Sequence, residues 1–515
     1  METKRILVEK IGIYFSMKPG SWKVRSFDAL IIVSVVSFIT VLSVLTKSFW
    51  GDEILSISFS SGTVANVLSS VASDYHPPLY FLWLKLWITF FGTGEVILRI
   101  FQGIQSVIFL WLSLIIFRNT FPSYRYHPFW ILLFVSSEFW LFAPMVRYYI
   151  FAADLVLLAT IVFFNWLKNS NIKTTIILVL TYVAVLYSDY LSAIVLFVHA
   201  VIVFWKYRFL LKTLFIAYAL SFLAFIPWIM IVLNQIHHLV STHHDADLNA
   251  SPFAVVIKIA FSLYAFIFGE MLYPFEPVAV LGLLLFVVTI LWIWMKKDFP
   301  RNENLFYALL LITTGIVFTS FVTTYIASRT SFIYTPSRTL FALPFLFLFG
   351  GMMYSSLRSR WMQFIFFGGV LVINLTGDIH WIENSHFIMP VYASPWKAVV
   401  HDLQGTKGIV ISDESLCYDY YRRQSEGIFP LLLKPKTLDD LKEIVPDSSI
   451  TLILVGREST ESEVHQEIID YLNANMKLIG TKKYLPIDKE YQEFKSTFLH
   501  RPSYDAKITV FHYEL

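Results

Sequence analysis

A succession of long apolar runs constrains this chain more than any other feature. They lie at 27–46, 96–117, 128–146, 148–167, 173–188, 190–206, 213–233, 277–296, 304–326, 338–355 and 361–378, each flanked by polar or charged residues. A helix needs roughly 20 apolar residues to cross the hydrocarbon core of a bilayer, so the runs amount to about eleven crossings. Inside lipid every backbone polar group must find a partner within the protein, and a helix meets that demand one segment at a time. The expected fold class is therefore an α-helical polytopic membrane protein. Composition agrees. The chain is 56% hydrophobic and 15% charged, against about 25% charged for soluble domains. It carries 27 Tyr and 15 Trp, residues whose apolar rings and polar tips suit the membrane interface.

Basic residues set the expected orientation. Lys4, Arg5, Lys10, Lys18, Lys23 and Arg25 precede the first run. Further basic loops hold Arg118 and Arg125; Lys168 and Lys173; Lys206, Arg208 and Lys212; Lys296, Lys297 and Arg301; Arg358 and Arg360. These loops alternate along the chain, as they must if the N-terminus is cytoplasmic. No signal-peptide cleavage site is evident after the first run, so it reads as a retained helix. An odd number of crossings then places the C-terminal region outside. Two apolar runs fit poorly as crossings. Tyr80 to Phe91 is too short and follows Pro77-Pro78, so it reads as an interfacial helix anchored by Trp83 and Trp87. Pro252 to Gly269 reads as re-entrant or interfacial, because a full crossing would move Lys296, Lys297 and Arg301 outside.

The expected domains are a cytoplasmic N-terminus, 1–26; a membrane domain, 27–379, whose first outer loop is 47–95; and an extracytoplasmic domain, 380–515. In the last of these, Lys407–Ser412, Thr451–Gly456 and Lys507–Tyr513 read as strands. Leu438–Val445 and Ser462–Met476 have helical spacing, and Ser394-Pro395 opens a helix. This alternation predicts a small α/β domain without a glycine-rich phosphate loop, serving as a structural or acceptor-docking module. The single cysteine, Cys417, excludes an internal disulfide.

Two acidic clusters lie in the first outer loop: Trp50-Gly51-Asp52-Glu53 and Asp74-Tyr75-His76-Pro77-Pro78-Leu79-Tyr80. Solvated loop charge is the simplest reading of the first. Asp74 is also a suitable helix cap. Yet a proline-stiffened turn carrying an acid and an imidazole also meets the demand of general-base catalysis for fixed geometry. These segments, with Phe91-Gly92-Thr93-Gly94-Glu95 and Leu98-Arg99 after them, resemble the C-type (GT-C) glycosyltransferase superfamily. The bacterial relatives of protein O-mannosyltransferases and the lipid A aminoarabinose transferases are the most similar members. The resemblance covers about residues 27–235 and continues through Thr335-Pro336-Ser337-Arg338-Thr339-Leu340, with Thr339 where the family often has tyrosine. It does not reach the C-terminal domain.

The resemblance implies a GT-C fold in a bacterial plasma membrane. It implies transfer of a sugar, hexosyl or pentosyl, from a polyprenyl-phosphate carrier to an acceptor hydroxyl on a lipid, polysaccharide or protein. Asp52 would be the catalytic base in an inverting displacement, and Glu53 would orient Asp52 or the acceptor. Asp74 and His76 would shape the site or hold a divalent ion; no other cofactor is implied. A lipid-phosphate leaving group calls for cations, and arginine's planar fork suits phosphate oxygens. Arg338 is the first candidate. Arg147 is the second, followed by Tyr148 in an arginine-tyrosine motif similar to one in the family. Lys85 is a further candidate, whereas Glu95 and Arg99 have the i, i+4 spacing of a structural pair. Arg329 is another possible cation.

Outside the resemblance, His237, His238, His243, His244, Asp245 and Asp247 crowd one loop in no rigid ligand spacing. Glu138, Asp154 and Asp189 are ionisable groups in or beside crossings, where such groups are functional candidates. Two other function classes remain open from sequence: a transporter or flippase of a lipid-linked saccharide, and a non-catalytic scaffold of the cell envelope.

Overall fold

The computed structural model describes residues 26–241, 252–296, 303–327, 335–435, 440–441, 449–455, 464, 466–484 and 507–514. His238, His243, His244, Asp245, Asp247, Lys297, Arg301, Arg329 and the N-terminal basic residues lie outside what is described, or their side chains do.

Helix α1, Ser26–Thr46, is followed by three short helices: α2, Gly51–Phe59; α3, Val64–Ala72; and α4, Leu79–Phe91. Helix α5, Glu95–Thr120, returns along α1. At the far end of this pair, Arg118 and Arg125 close on the buried Asp28. At the near end lies the loop with Asp52. Further apolar helices follow. They are α6, Pro128–Leu133; α7, Ser137–Phe142; α8, Tyr149–Lys168; α9, Ile172–Ser188; α10, Ile194–Lys206; and α11, Leu211–Ser241. After them come α12, Pro252–Phe268; α13, Pro277–Lys296; α14, Glu303–Thr313; α15, Thr319–Ala327; α16, Leu343–Ser356; and α17, Arg360–Glu383.

Among the described residues, seven helices are long and apolar enough to cross a membrane. The expected crossings at 128–146, 173–188, 190–206 and 304–326 fall on shorter or interrupted apolar helices. The continuous helix expected over 128–146 is broken. Residues 134–136 separate α6 from α7, and Ser136 caps α7 by accepting from Phe139 N. The reason is tertiary. The break turns Ser137 towards α17, where its N–H donates to Asn374 Oδ1 at 3.1 Å and its hydroxyl to Asn374 O at 2.7 Å. In the same way, a π turn at Thr314–Phe318 joins α14 to α15.

Helix α12 packs against α7, α15, α17 and the turn Pro336–Ala342. Phe261 and Tyr264 pack with Tyr273 and Ile388. The helix stops at Gly269, whose φ of +82° and tight approach to Ser137 favour glycine. The chain then turns back, with Ile388 N donating to Glu270 O at 2.8 Å. Helix α13 packs along α17, with Phe286 against Phe366.

The C-terminal domain is a five-stranded sheet in the order β2-β1-β3-β5-β4. The strands are β1, Ile409–Ser412; β2, Leu431–Leu433; β3, Ile450–Val455; β4, Lys477–Tyr484; and β5, Ile508–Glu514. Strands β1, β2 and β3 are parallel; β5 is antiparallel to both β3 and β4. Three strands appear where the sequence predicts them, while β2 and β4 were not expected. Helices α18, Trp396–Asp402, α19, Ser415–Gln424, and α20, Gln466–Asn475, complete the domain. Alternation sorts the sheet's two faces. Val410, Ile453 and Val510 join the main core, whereas Ile411, Leu452 and Ile468 form a second, smaller one.

Candidate active site

The site is built on the loop between α1 and α2. Asp52 stands in the first turn of α2, where the helix dipole favours a carboxylate. Its side chain is 44% exposed. The adjacent Glu53 faces the other way and is buried. Its Oε1 accepts from Arg99 Nη1 at 2.9 Å and from Val146 N at 2.8 Å, while Oε2 accepts from Trp50 N at 3.2 Å. Burial pushes the Glu53 carboxyl up, and the Arg99 guanidinium and these backbone N–H groups pull it back towards the ionised form. Arg99 also donates to Pro144 O at 2.7 Å and lies 3.7 Å from Glu95, the spacing predicted from sequence. One turn of chain thus points one acid to solvent and anchors itself with the next.

Arg147 joins the two acidic clusters. It sits in the tight turn after Pro144 that ends α7 and is itself buried. Its Nη1 donates to Asp52 O at 3.0 Å and to Ser56 Oγ at 2.8 Å. Its Nη2 lies 3.3 Å from Asp52 Oδ2 and 3.5 Å from His76 Nε2. His76 packs against Tyr148 with ring centroids 4.8 Å apart, and Asp74 Oδ2 is 3.8 Å from His76 Nε2. Pro77 and Pro78 hold this turn at the start of α4. Arg338, in the 3-10 turn Pro336–Ala342, donates through Nη1 to Tyr148 Oη at 3.4 Å. Asp52, Arg147, His76, Tyr148 and Arg338 therefore form one connected group, assembled from three segments far apart in sequence.

Electrostatics follow from that assembly. Burial, and then the Arg147 and Arg338 cations, push the His76 imidazole well below its ordinary value, so it is neutral. Burial raises the Asp74 carboxyl, opposed by the Tyr75 backbone and by Arg147. Asp74 and His76 meet no third metal-binding side chain in ligand range among the described residues. The imidazole nitrogen also faces a guanidinium, which repels a cation. The pair therefore does not fit a divalent ion.

Lys85 lies half-buried on α4 and has no ion-pair partner among the described residues. Trp87, expected as an interface anchor, donates from Nε1 to Ile97 O at 3.1 Å. Asp189 caps the turn after α9, accepting from Ser192 N at 2.7 Å and Ser192 Oγ at 2.8 Å. Asp154 makes no pair with Arg147 and is buried on α8. Glu138 lies buried beside Glu270. His237 is exposed at the end of α11.

The C-terminal domain supplies contacts that the sequence did not reveal. Tyr421 Oη accepts from Phe49 N, and Tyr420 Oη donates to Thr93 O at 2.9 Å. Lys397 Nζ donates to Val44 O at 2.8 Å and pairs with Glu95 at 2.9 Å. From the other side, Lys47 Nζ donates to Trp381 O and to Asn384 Oδ1, the latter at 2.6 Å. The Asp52 loop is clasped between the sheet domain and the end of α17.

Two solved structures of ArnT from Cupriavidus metallidurans, one bound to undecaprenyl phosphate and one in the apo state, superpose on this architecture. Each has a TM-score of 0.51 at 11% sequence identity, with 94% of this chain and 97% of ArnT covered. The chain has the ArnT fold. This fold agrees with the architecture expected from the motifs, and the likeness extends over the C-terminal domain, which those motifs did not reach. No protein-family model and no curated protein matches the sequence.

Proposed function

We propose that this chain is an integral-membrane glycosyltransferase that moves a sugar from a polyprenyl-phosphate carrier to an acceptor hydroxyl. The carrying observation is the group around Asp52: a half-exposed carboxylate held beside Arg147, His76, Tyr148 and Arg338. That this fold holds undecaprenyl phosphate in ArnT supports the lipid carrier. In this reading Asp52 takes the acceptor's hydroxyl proton as the oxygen attacks the anomeric carbon. The bond from that carbon to the phosphate oxygen breaks, and the electron pair leaves with the lipid phosphate. Attack opposite the leaving group inverts the anomeric centre. Arg338 and Arg147 offset the charge on the departing phosphate, and neutral His76 and Tyr148 line the donor side. Glu53 touches no substrate in this scheme and acts as a positioning residue for the start of α2.

The basic helix ends opposite the Asp52 face support a reading in which that face lies outside the cell. Nucleotide sugars are lacking there, so a lipid carrier is the fitting donor. The test is transfer by purified protein from a panel of polyprenyl-phosphate sugars to an envelope acceptor. Asp52→Asn should cut the rate by at least about 10²-fold, the contribution expected of a general base. Equal rates in wild type and Asp52→Asn would defeat the mechanism. Carrier binding without transfer or donor hydrolysis in the wild type would shift weight to lipid transport.

A further inference from the structure

We infer that Glu276, His380 and His386 form a zinc-class metal site on the outer end of α17, separate from the Asp52 group. Three chain segments create it. The turn between α12 and α13, Tyr273-Pro274-Phe275-Glu276-Pro277, is stiffened by two prolines. Its Glu276 Oε1 accepts from Tyr273 N at 2.8 Å, which fixes the carboxylate. His380 is in the last turn of α17. His386 follows the helix end with a φ of 58°, a left-handed conformation uncommon for a residue with a side chain. That backbone turn brings its ring onto Glu276.

The spacing suits a small N/O-ligated cation. His386 Nδ1 lies 3.2 Å from Glu276 Oε1, and His380 Nε2 lies 3.9 Å from Glu276 Oε2. The three ligand atoms all fall within 4.8 Å of one another. Bonds of about 2.0–2.2 Å in a tetrahedral arrangement place ligand atoms roughly 3.3–3.6 Å apart. Small side-chain rotations therefore close the group on one ion. A support outside the ligand group is also present. His380 Nδ1 is 2.8 Å from Met271 O and 3.1 Å from His386 Nδ1; a proton on His380 Nδ1 bonds to that carbonyl and leaves the Nε2 lone pair for a metal. Two imidazoles and one carboxylate favour zinc over magnesium or calcium, which prefer oxygen ligands.

The site would fasten the turn after α12 to the end of α17. Asn384, between the two histidines, donates through Nδ2 to Thr46 O at 3.0 Å and accepts from Lys47. A bound ion thus stiffens the segment against which the Asp52 loop rests. The inference does not depend on the transfer reaction.

The test uses the full chain without an affinity tag, stripped with chelator and titrated with Zn²⁺, followed by Co²⁺ as a spectroscopic probe. The variants are His380→Gln and His386→Asn; asparagine tolerates the left-handed backbone, so the second keeps the turn. Bound zinc should fall by one equivalent per chain in both variants. Cobalt should give wild type a visible d–d absorption that His386→Asn lacks, and zinc should raise the Tm of wild type alone. The same stoichiometry in wild type and both variants would overturn the site, as would wild type that takes up no zinc. Those outcomes would leave the three side chains a hydrogen-bonded cluster only.

Discussion

At the scale of single residues, neighbours in sequence do opposite work. Asp52 is presented to solvent, whereas Glu53 holds the loop from inside through Arg99, Val146 and Trp50. Glu53→Gln should lower stability by about 3 kcal/mol, because breaking the short buried ion pair leaves Arg99 to the longer contact with Glu95. Its amide would also point an N–H at the Trp50 N–H. Thermal unfolding in detergent would measure the loss, and a variant as stable as wild type would remove Glu53 from the anchor. His76 gives a pH signature. Its folded pKa lies well below the ordinary 6.5, so the unfolded chain binds more protons as pH falls between those values. Its contribution to stability is therefore full above about 6.5 and is lost as pH drops through the folded value. Melting profiles from about pH 7.5 to 5 should fall less steeply for His76→Gln than for wild type. Parallel profiles would show that His76 does not titrate this way.

At the scale of elements, the turn at Gly269 is the most constrained joint. A Cβ there would lie 2.5 Å from Ser137 Cβ, at a φ of +82°. Gly269→Ala should therefore cost about 2 kcal/mol and loosen α12 from the break between α6 and α7. The melting temperature measures the cost, and amide hydrogen exchange in α12 reads the loosening. An unchanged melting temperature would mean that the turn relaxes freely. The broken helix at 128–142 was hidden in the sequence because hydropathy reports burial, not continuity. Ser136 and Ser137 look like ordinary small residues until Asn374 is placed opposite them.

For the whole molecule, the membrane bundle and the sheet domain act as one body around the Asp52 loop. Tyr420, Tyr421 and Lys397 reach from the sheet domain, and Lys47 reaches from the loop to α17. Replacing Lys397 with Met and Tyr421 with Phe together should cost about 2 kcal/mol, near what a few lost hydrogen bonds are worth. On the proposed function it should also slow sugar transfer while carrier binding stays unchanged. Transfer at the wild-type rate would make the domain's clasp irrelevant to the site. Strands β2 and β4 were unreadable locally for different reasons. Leu431–Leu433 is a bare three-residue run whose strand state comes from pairing with β1. Lys477–Tyr484 is a charged edge strand with a bulge near Gly480, and edge strands shed apolar alternation in favour of lysine.

The sequence by itself determined that the chain is built on apolar helices, because each segment must satisfy its backbone within itself in lipid. Among the described residues, seven of the roughly eleven expected crossings are helices long enough to span. It also revealed Asp52, Asp74 and His76, whose chemistry is packed into short motifs beside prolines. Tertiary structure alone decided the inward turn of Glu53, the bridge that Arg147 makes to His76, and the break at Ser136. It also decided the meeting of Glu276 with His380 and His386 across about a hundred residues of chain. Local patterns record what a segment needs from its solvent. Which distant side chain satisfies a buried charge or a bare N–H depends on how the helices pack, and no window of sequence contains that choice.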